Sequence, residues 1–509
     1  MRVGASLLGS WRALRAGGGP PVARRLGAVV LAAALTATVA GTAAATASAR
    51  GAHASRGVRT YSTRGTLPLR TSLFDPFAFA SPEYATAFRM TRAAGASYVR
   101  LVVMWNGIVS ADPPAGFDAS DPASPEYSWG WLDGIVAAAE AAGLTPILDV
   151  GAAPGWAAQR TAGGRPVSAP KPRDLAQFAT ALATHYDGLH GAPPVHVFQV
   201  WNEPNLSLDL SPVSGAVYRA MVNAFADAVH AVNPANIVVA GGLDPFANKT
   251  RAWHTQAPLA FMRAMLCLSK GAHPHATCHA SVHFDVWAHH PYTFGGPFGH
   301  AKRPDDVSLG DLPKMRALLQ AAVKLHHVVS ARPVQFWVTE FGWDSKPPRP
   351  HAAPLALAAR WTAESLYQMW RSGVTLVTWF GFQDKASPSP YQSGLYFHSK
   401  QLARAKPKPV LTAFRFPFVA YLGKRTVSVW GRDATSTKTL VTIQRAHRQR
   451  GPWRTVARIR TNRYGIFKAA LRLAATKRDW LRATAPGSGK SLPFSLTVPK
   501  APHVGPWGN

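Results

Sequence analysis

Between about residue 66 and residue 400 the chain alternates short β-rich apolar runs with longer Ala- and Leu-rich stretches whose apolar positions recur every three or four residues. The short runs predict eight strands: Thr71–Phe74, Tyr98–Met104, Thr145–Val150, His196–Trp201, Ile237–Ala240, Phe284–His289, Gln335–Glu340 and Leu376–Phe382. The longer stretches predict helices between them at Pro82–Ala94, Trp131–Ala142, Arg173–Tyr186, Ser214–Val232, Pro258–Ser269, Leu309–His327 and Leu355–Arg371. Eight strand–helix units argue for a closed (β/α)8 TIM barrel, with a doubly wound open sheet as the main competitor. Loops that follow the strands are long (105–130, 151–172, 241–257, 290–308) and rich in Gly, Pro, Trp and His, whereas the returns to the next strand are short. In a barrel the strand C-termini build the active site, so functional side chains are expected where these strands end.

After residue 415 the rhythm changes to short alternating runs at Thr426–Trp430, Thr439–Arg445, Thr455–Arg460, Gly465–Ala470 and Trp480–Thr484, the pattern of a small β-sandwich. Pro407, Pro409 and Pro417 mark a hinge before it. The expected organisation is a leader at 1–49, a flexible linker at 50–65, the barrel at 66–414, and a basic accessory sandwich with a flexible tail at 415–509.

Charge sharpens this division. The 509 residues carry 56 Lys+Arg against 25 Asp+Glu, a net +31, which raises the question of nucleic acid. Residues 1–49 hold five Arg and no acid, and 415–509 hold 19 Lys+Arg against Asp433 and Asp479, so only +9 remains for everything between. The leader joins Arg2, Arg12, Arg15, Arg24 and Arg25 to the apolar stretch Leu26–Ala40 and ends in Ala47-Ser48-Ala49, the layout of a secretory signal peptide. A membrane anchor is the competing reading, but the run is short and weakly apolar; Arg24-Arg25 also leaves twin-arginine export open. No later stretch is apolar enough for stable membrane insertion. Export then weighs against nucleic acid as the partner of the Arg-rich segment Arg445–Arg463, and an anionic cell-wall polymer or a plain solvated face accounts for the same charge.

The only two cysteines, Cys267 and Cys278, read as one local disulfide in an exported chain. With His273, His275 and His279 nearby a metal site is the alternative, although the spacing fits no zinc template. No metal or cofactor is expected.

Two acids terminate predicted strands. Glu203 follows the fourth and Glu340 the seventh, nearly opposite one another across an eight-stranded mouth, which is the arrangement glycoside hydrolysis uses. Trp201-Asn202-Glu203-Pro204-Asn205 resembles the Asn-Glu-Pro motif of the clan A glycoside hydrolases, and Thr339-Glu340-Phe341-Gly342-Trp343 is similar to their strand-seven motif. The resemblance covers about residues 66–400 and is nearest to families 5 and 39. It implies that Glu203 is the acid/base and Glu340 the nucleophile. It further implies that Arg100 holds the nucleophile ionised, that Asn202 binds a sugar hydroxyl, that His290 and Tyr292 form the strand-six pair, with His289 competing for the histidine role, and that Trp379 floors the subsite where cleavage occurs. After strand three, Gly151-Ala152-Ala153-Pro154-Gly155-Trp156 replaces the histidine expected of family 5, which favours a family 39-like relation.

Trp105, Trp156, Trp253 and Trp343 lie in the strand-to-helix loops as candidate sugar platforms, with core packing or loop anchoring the alternative for each; Trp337, Trp361 and Trp370 are read as core or helix-packing residues. The expected activity is that of a secreted retaining O-glycosidase acting on a poly- or oligosaccharide. A glycan-remodelling transglycosidase and a non-catalytic carbohydrate-binding surface protein are the competing functions.

Overall fold

A computed structural model describes residues 58–499, except 64, 66, 161–165, 251, 387–388, 390 and 435–437, together with 504 and 505. The leader and most of the expected linker and tail lie outside the described residues. Eight parallel strands close into a barrel in sequence order: Arg70–Phe74, Tyr98–Met104, Thr145–Gly151, Val197–Val200, Ile237–Leu243, Val286–His289, Gln335–Phe341 and Leu376–Phe380, the last pairing with the first. Seven helices join them at the expected places, from Tyr84–Ala93 to Leu355–Arg371. Each turns its apolar stripe inward: Leu175, Phe178 and Leu182 of Pro172–His185 are all fully buried, four or fewer residues apart. The open-sheet alternative is thereby excluded.

The C-terminal region is a sandwich of two sheets. Phe418–Leu422, Val427–Arg432 and Ile466–Leu471 form one. The other contains Leu440–Ala446, Arg454–Arg460 and Trp480–Ala485, with Gly489–Lys490 and Phe494–Ser495 beside Trp480–Ala485. Two expectations change here. Within the segment read as a linker, Arg59–Ser62 forms an edge strand parallel to Arg454–Arg460, a pairing that no local pattern reveals. The prolines read as a hinge behave differently as well. Pro409 begins the helix Pro409–Arg415, in the first turn, where its missing N–H would have no intrahelical partner anyway. The seam between sandwich and barrel is aromatic: Trp430 lies 5.3 Å from Tyr367 and 5.6 Å from Trp370, and the buried Arg432 donates to Thr71 Oγ1 at 3.2 Å.

Cys267 and Cys278 are disulfide-bonded, their Cα atoms 5.3 Å apart, which settles the sulfur chemistry in favour of the bridge. No helix among the described residues is long and apolar enough to cross a membrane.

Candidate active site

Glu203 leaves the fourth strand through a contorted turn. Trp201 and Glu203 both have positive φ, 68° and 39°, a region that side-chain-bearing residues rarely adopt and that costs of order 1–3 kcal/mol each. The turn is held because the Glu203 N–H donates to the Gly242 carbonyl, the Trp201 indole donates to the Asp209 carbonyl, and Asn205 brackets Asp244 by both its amide and its carbonyl oxygen. A side chain at Gly242 would be strained, since its φ is +66° and a Cβ there would sit 3.1 Å from Gln199 Nε2 and 3.3 Å from His290 Nε2.

Glu340 is the penultimate residue of the seventh strand and is 6% exposed. The Tyr292 hydroxyl donates to its Oε1 at 2.9 Å and Arg100 Nη1 donates to its Oε2 at 3.1 Å. Arg100 is completely buried; its Nη2 donates at 2.7 Å to both Asp149 Oδ2 and Asn202 Oδ1. Asn202 in turn donates to Asp209 Oδ2. His290, not His289, faces the site: Nδ1 is 2.9 Å from Glu203 Oε1 and Nε2 is 3.1 Å from Thr339 Oγ1. His289 points away to the Val307 carbonyl, and burial pulls it down to about 4.

The two acids live in different electrostatic surroundings. Burial raises both, but Glu203 also faces the negative charges of Asp244, Glu340 and Asp209, and it rises well above the usual carboxylate range. At Glu340 the burial is opposed by the Arg100 cation and by the hydrogen bonds from Tyr292 and Arg100. Burial keeps the His290 imidazole neutral by lowering it well below its ordinary value. One oxygen of each glutamate and a ring nitrogen of His290 all lie within 4.8 Å of one another. These three are also the described residues close enough to converge on a metal ion, but a cation there would have to share Glu340 with the Arg100 guanidinium and the Tyr292 hydroxyl.

The structure thus brings together Glu203, Glu340, Arg100, Asn202, His290 and Tyr292. It treats the tryptophans differently. Trp379 is fully buried, its indole donating to the Ser393 carbonyl and its ring edge-on to Phe341 6.1 Å away, so no face of it opens as a sugar floor. Trp105 stacks on Phe178 and Trp343 donates to Ser365, both buried. Trp156 remains half-buried, tied to the Ser110 carbonyl and edge-on to Phe117, and Trp253 is half-buried too.

Sequence reasoning missed four neighbours. Asp149 is a buried acid within the third strand, and Asp244 directly follows the fifth; burial pushes their carboxyls up to about 6 and about 7. Asp209 sits beyond the Asn-Glu-Pro motif. Tyr391, in the loop after the eighth strand, is pushed upward by its burial and by the charges of Glu340 and Glu203. For Asp149 a signal existed, a lone acid inside an apolar run, the same feature that singled out Arg100.

A closed parallel barrel with two carboxylates converging from strands four and seven defines the retaining glycosidases of clan A. Residues 57–354, more than half of the chain, match the family described as Cellulase (glycosyl hydrolase family 5), and the protein belongs to that family. The departure after strand three does not remove it from that family. No curated protein sequence matches it. Among solved structures it is similar to a family 39 glycoside hydrolase from Bacteroides cellulosilyticus, at 17% identity and TM-score 0.48 over 80% of this chain and 79% of that one. A monomeric beta-xylosidase from Caulobacter crescentus is similar at 16% identity and TM-score 0.49, over 83% and 98% of the two chains.

Proposed function

We propose that this glycosidase is an exported enzyme that hydrolyses a poly- or oligosaccharide by double displacement, with Glu340 as nucleophile and Glu203 as acid/base. The observation that carries the reading is the spacing of the two acids, within 4.8 Å at their nearest oxygens, together with the unequal contacts around them. A retaining pair is about 5–5.5 Å apart, whereas an inverting pair needs about 6.5–9.5 Å to admit a water. Glu340, facing Arg100 and the Tyr292 hydroxyl, attacks the anomeric carbon as its carboxylate; Glu203, raised by burial and three neighbouring acids, gives its proton to the leaving oxygen. Glu203 then takes a proton from the water that releases the sugar, and the configuration is retained.

Export is supported by the leader composition and by the disulfide. An anionic wall polymer as a partner of the sandwich is supported by the exposed Arg458 and Arg460, which alternate along one strand and make no ion pair among the described residues. Asp479 is already engaged by Arg445 at 2.8 Å, so little acid remains to neutralise them.

The test is digestion of a glycan panel by the full chain, with the first-formed anomer followed by NMR. Retention is expected, with activity abolished in Glu340→Gln and reduced about 10²–10⁴-fold in Glu203→Gln. Inversion, or wild-type activity in both variants on every substrate cleaved, overturns the assignment. In the same preparations, cosedimentation with insoluble wall glycan at low but not high salt is expected; no binding at low salt removes the wall partner.

A further inference from the structure

We infer that Asp149 is the positioning residue that aims the Arg100 guanidinium, so that one amine of the fork meets Asn202 and the other meets Glu340. Arg100 is completely buried and crosses the barrel interior from the second strand. Among the described residues nothing near its stem sets the rotation of its plane: Nε has no hydrogen-bond partner, and Cζ lies over the Phe74 ring, 4.5 Å from its centroid. Orientation therefore comes from what the two amines touch. Nη1 reaches Glu340 at 3.1 Å and the Thr339 carbonyl at 3.4 Å; Nη2 reaches Asp149 and Asn202, both at 2.7 Å.

Those two Nη2 partners are not equivalent. Asn202 stands in the turn after the fourth strand and is itself held through Asp209. Asp149 stands within a seven-residue strand whose neighbours are paired on both sides, opposite Val102 on one and Gln199 on the other, and it is 3% exposed. A carboxylate fixed on a strand ladder is the stiffer anchor, and a charge-assisted bond of 2.7 Å is of the strong kind. Released from it, the fork can swing both amines onto Glu340, since guanidinium and carboxylate pair edge to edge through two parallel N–H···O bonds. Asn202 would then lose the donor that meets its oxygen.

The anchor has an electrostatic side. The charged and titratable groups facing Asp149 are Arg100 from the second strand, Glu340 from the seventh, and the Tyr218 hydroxyl from the helix Gly215–Val232. Ionised Asp149 shares the single guanidinium with Glu340 and opposes the ionisation of Glu340. Asp149→Asn removes that charge while keeping an oxygen for Nη2. Glu340 then ionises at lower pH, and the acid limb of kcat/KM, which reports the free-enzyme nucleophile, moves down in pH. Asp149→Ala removes the charge and the anchor together.

This inference rests on Glu340 being the nucleophile, and Glu340→Gln is run beside it to separate the two. The experiment is the pH–rate profile of the full chain and of Asp149→Asn and Asp149→Ala, on any glycoside the wild type turns over, with melting temperatures for each. Expected are an acid limb displaced to lower pH in Asp149→Asn with kcat at the optimum within about tenfold, and a further loss of about 10²-fold in kcat for Asp149→Ala with a smaller change in KM. An unmoved acid limb in Asp149→Asn, or Asp149→Ala equalling Asp149→Asn at every pH, overturns the role of Asp149. Turnover by Glu340→Gln instead overturns the site assignment on which it rests.

Discussion

Two layers inside the same barrel, only two residues apart along several of its strands, have opposite chemistry. The lower layer contains Ile147, Val197, Val239, Val286, Ala288, Trp337 and Leu376, which pack together with Tyr98 and Ile237 at their margin. Two positions further along, the inward places are taken by Arg100, Asp149, Gln199, His290, Thr339 and Thr378, all buried. Both layers are buried, so the difference is not exposure. Apolar groups gain about 25 cal/mol per Å² on leaving water, whereas each polar group loses hydration that only well-placed partners restore. The upper layer finds most of those partners within itself, but Gln199 Oε1, Thr378 Oγ1 and Asp149 Oδ1 have none among the described residues. The lower layer closes the barrel, and the upper one holds charge where the acids of strands four and seven need it.

A matched pair of substitutions tests that division most severely. Arg100→Met leaves Asp149 and Glu340 facing each other without a cation; a stability loss of about 3–5 kcal/mol is expected near pH 8, smaller at pH 5 where the carboxyls take up protons, with turnover collapsing at both. Leu376→Ala, fully buried one layer below, is expected to cost about 2–5 kcal/mol with turnover per folded molecule unchanged. Calorimetry and active-site-normalised rates measure both. If Leu376→Ala lowers turnover as far as Arg100→Met, the layers are not separate in function.

The same contrast explains what could be read from the chain. The lower layer and the strands themselves were legible because buried parallel strands are continuous apolar runs, and all eight were placed within three residues at either end. Glu203, Glu340 and Arg100 were legible because acids at strand ends and a charge inside an apolar run are costly unless partnered, while the Arg100–Glu340 contact came only from the resemblance to clan A. The identity of the partners was not legible. Arg100 meets Asp149 across a neighbouring strand and Glu340 across the barrel, and register cannot be seen in one sequence. Trp379 looked like a sugar platform, but its position relative to Phe341 and the Ser393 carbonyl decides its burial. The strand Arg59–Ser62 was hidden for the same reason, since its partner lies at Arg454–Arg460, at the other end of the chain.

The smallest effect separating the layers is their response to pH. The lower layer holds no carboxyl or imidazole to titrate, whereas the acids at the mouth are raised: burial pushes Asp244 and Asp344, which follow strands five and seven, to about 7 each. In the unfolded chain such groups ionise near pH 4. Between about pH 4 and 7 the folded chain therefore holds more protons than the unfolded one, so this contribution weakens stability as the pH rises through 7. The buried histidines act in the opposite sense, because His289, at about 4, stays neutral while its unfolded counterpart charges below about 6.5. Asp311, held at about 2 chiefly against its burial by hydrogen bonds from Ala301, Lys314, His300 and Ser308, acts only below pH 4. Above pH 6.5 the raised carboxyls are left to act alone, and stability should fall between pH 6.5 and 8 by the order of 1 kcal/mol for each such acid. Melting temperatures across that interval measure the fall, and Asp244→Asn together with Asp344→Asn should reduce it, the raised Glu203 and Glu364 supplying the remainder. A melting temperature that holds steady or climbs from pH 6.5 to 8 would mean that the mouth carries its acids ionised, with the layer solvated rather than dry.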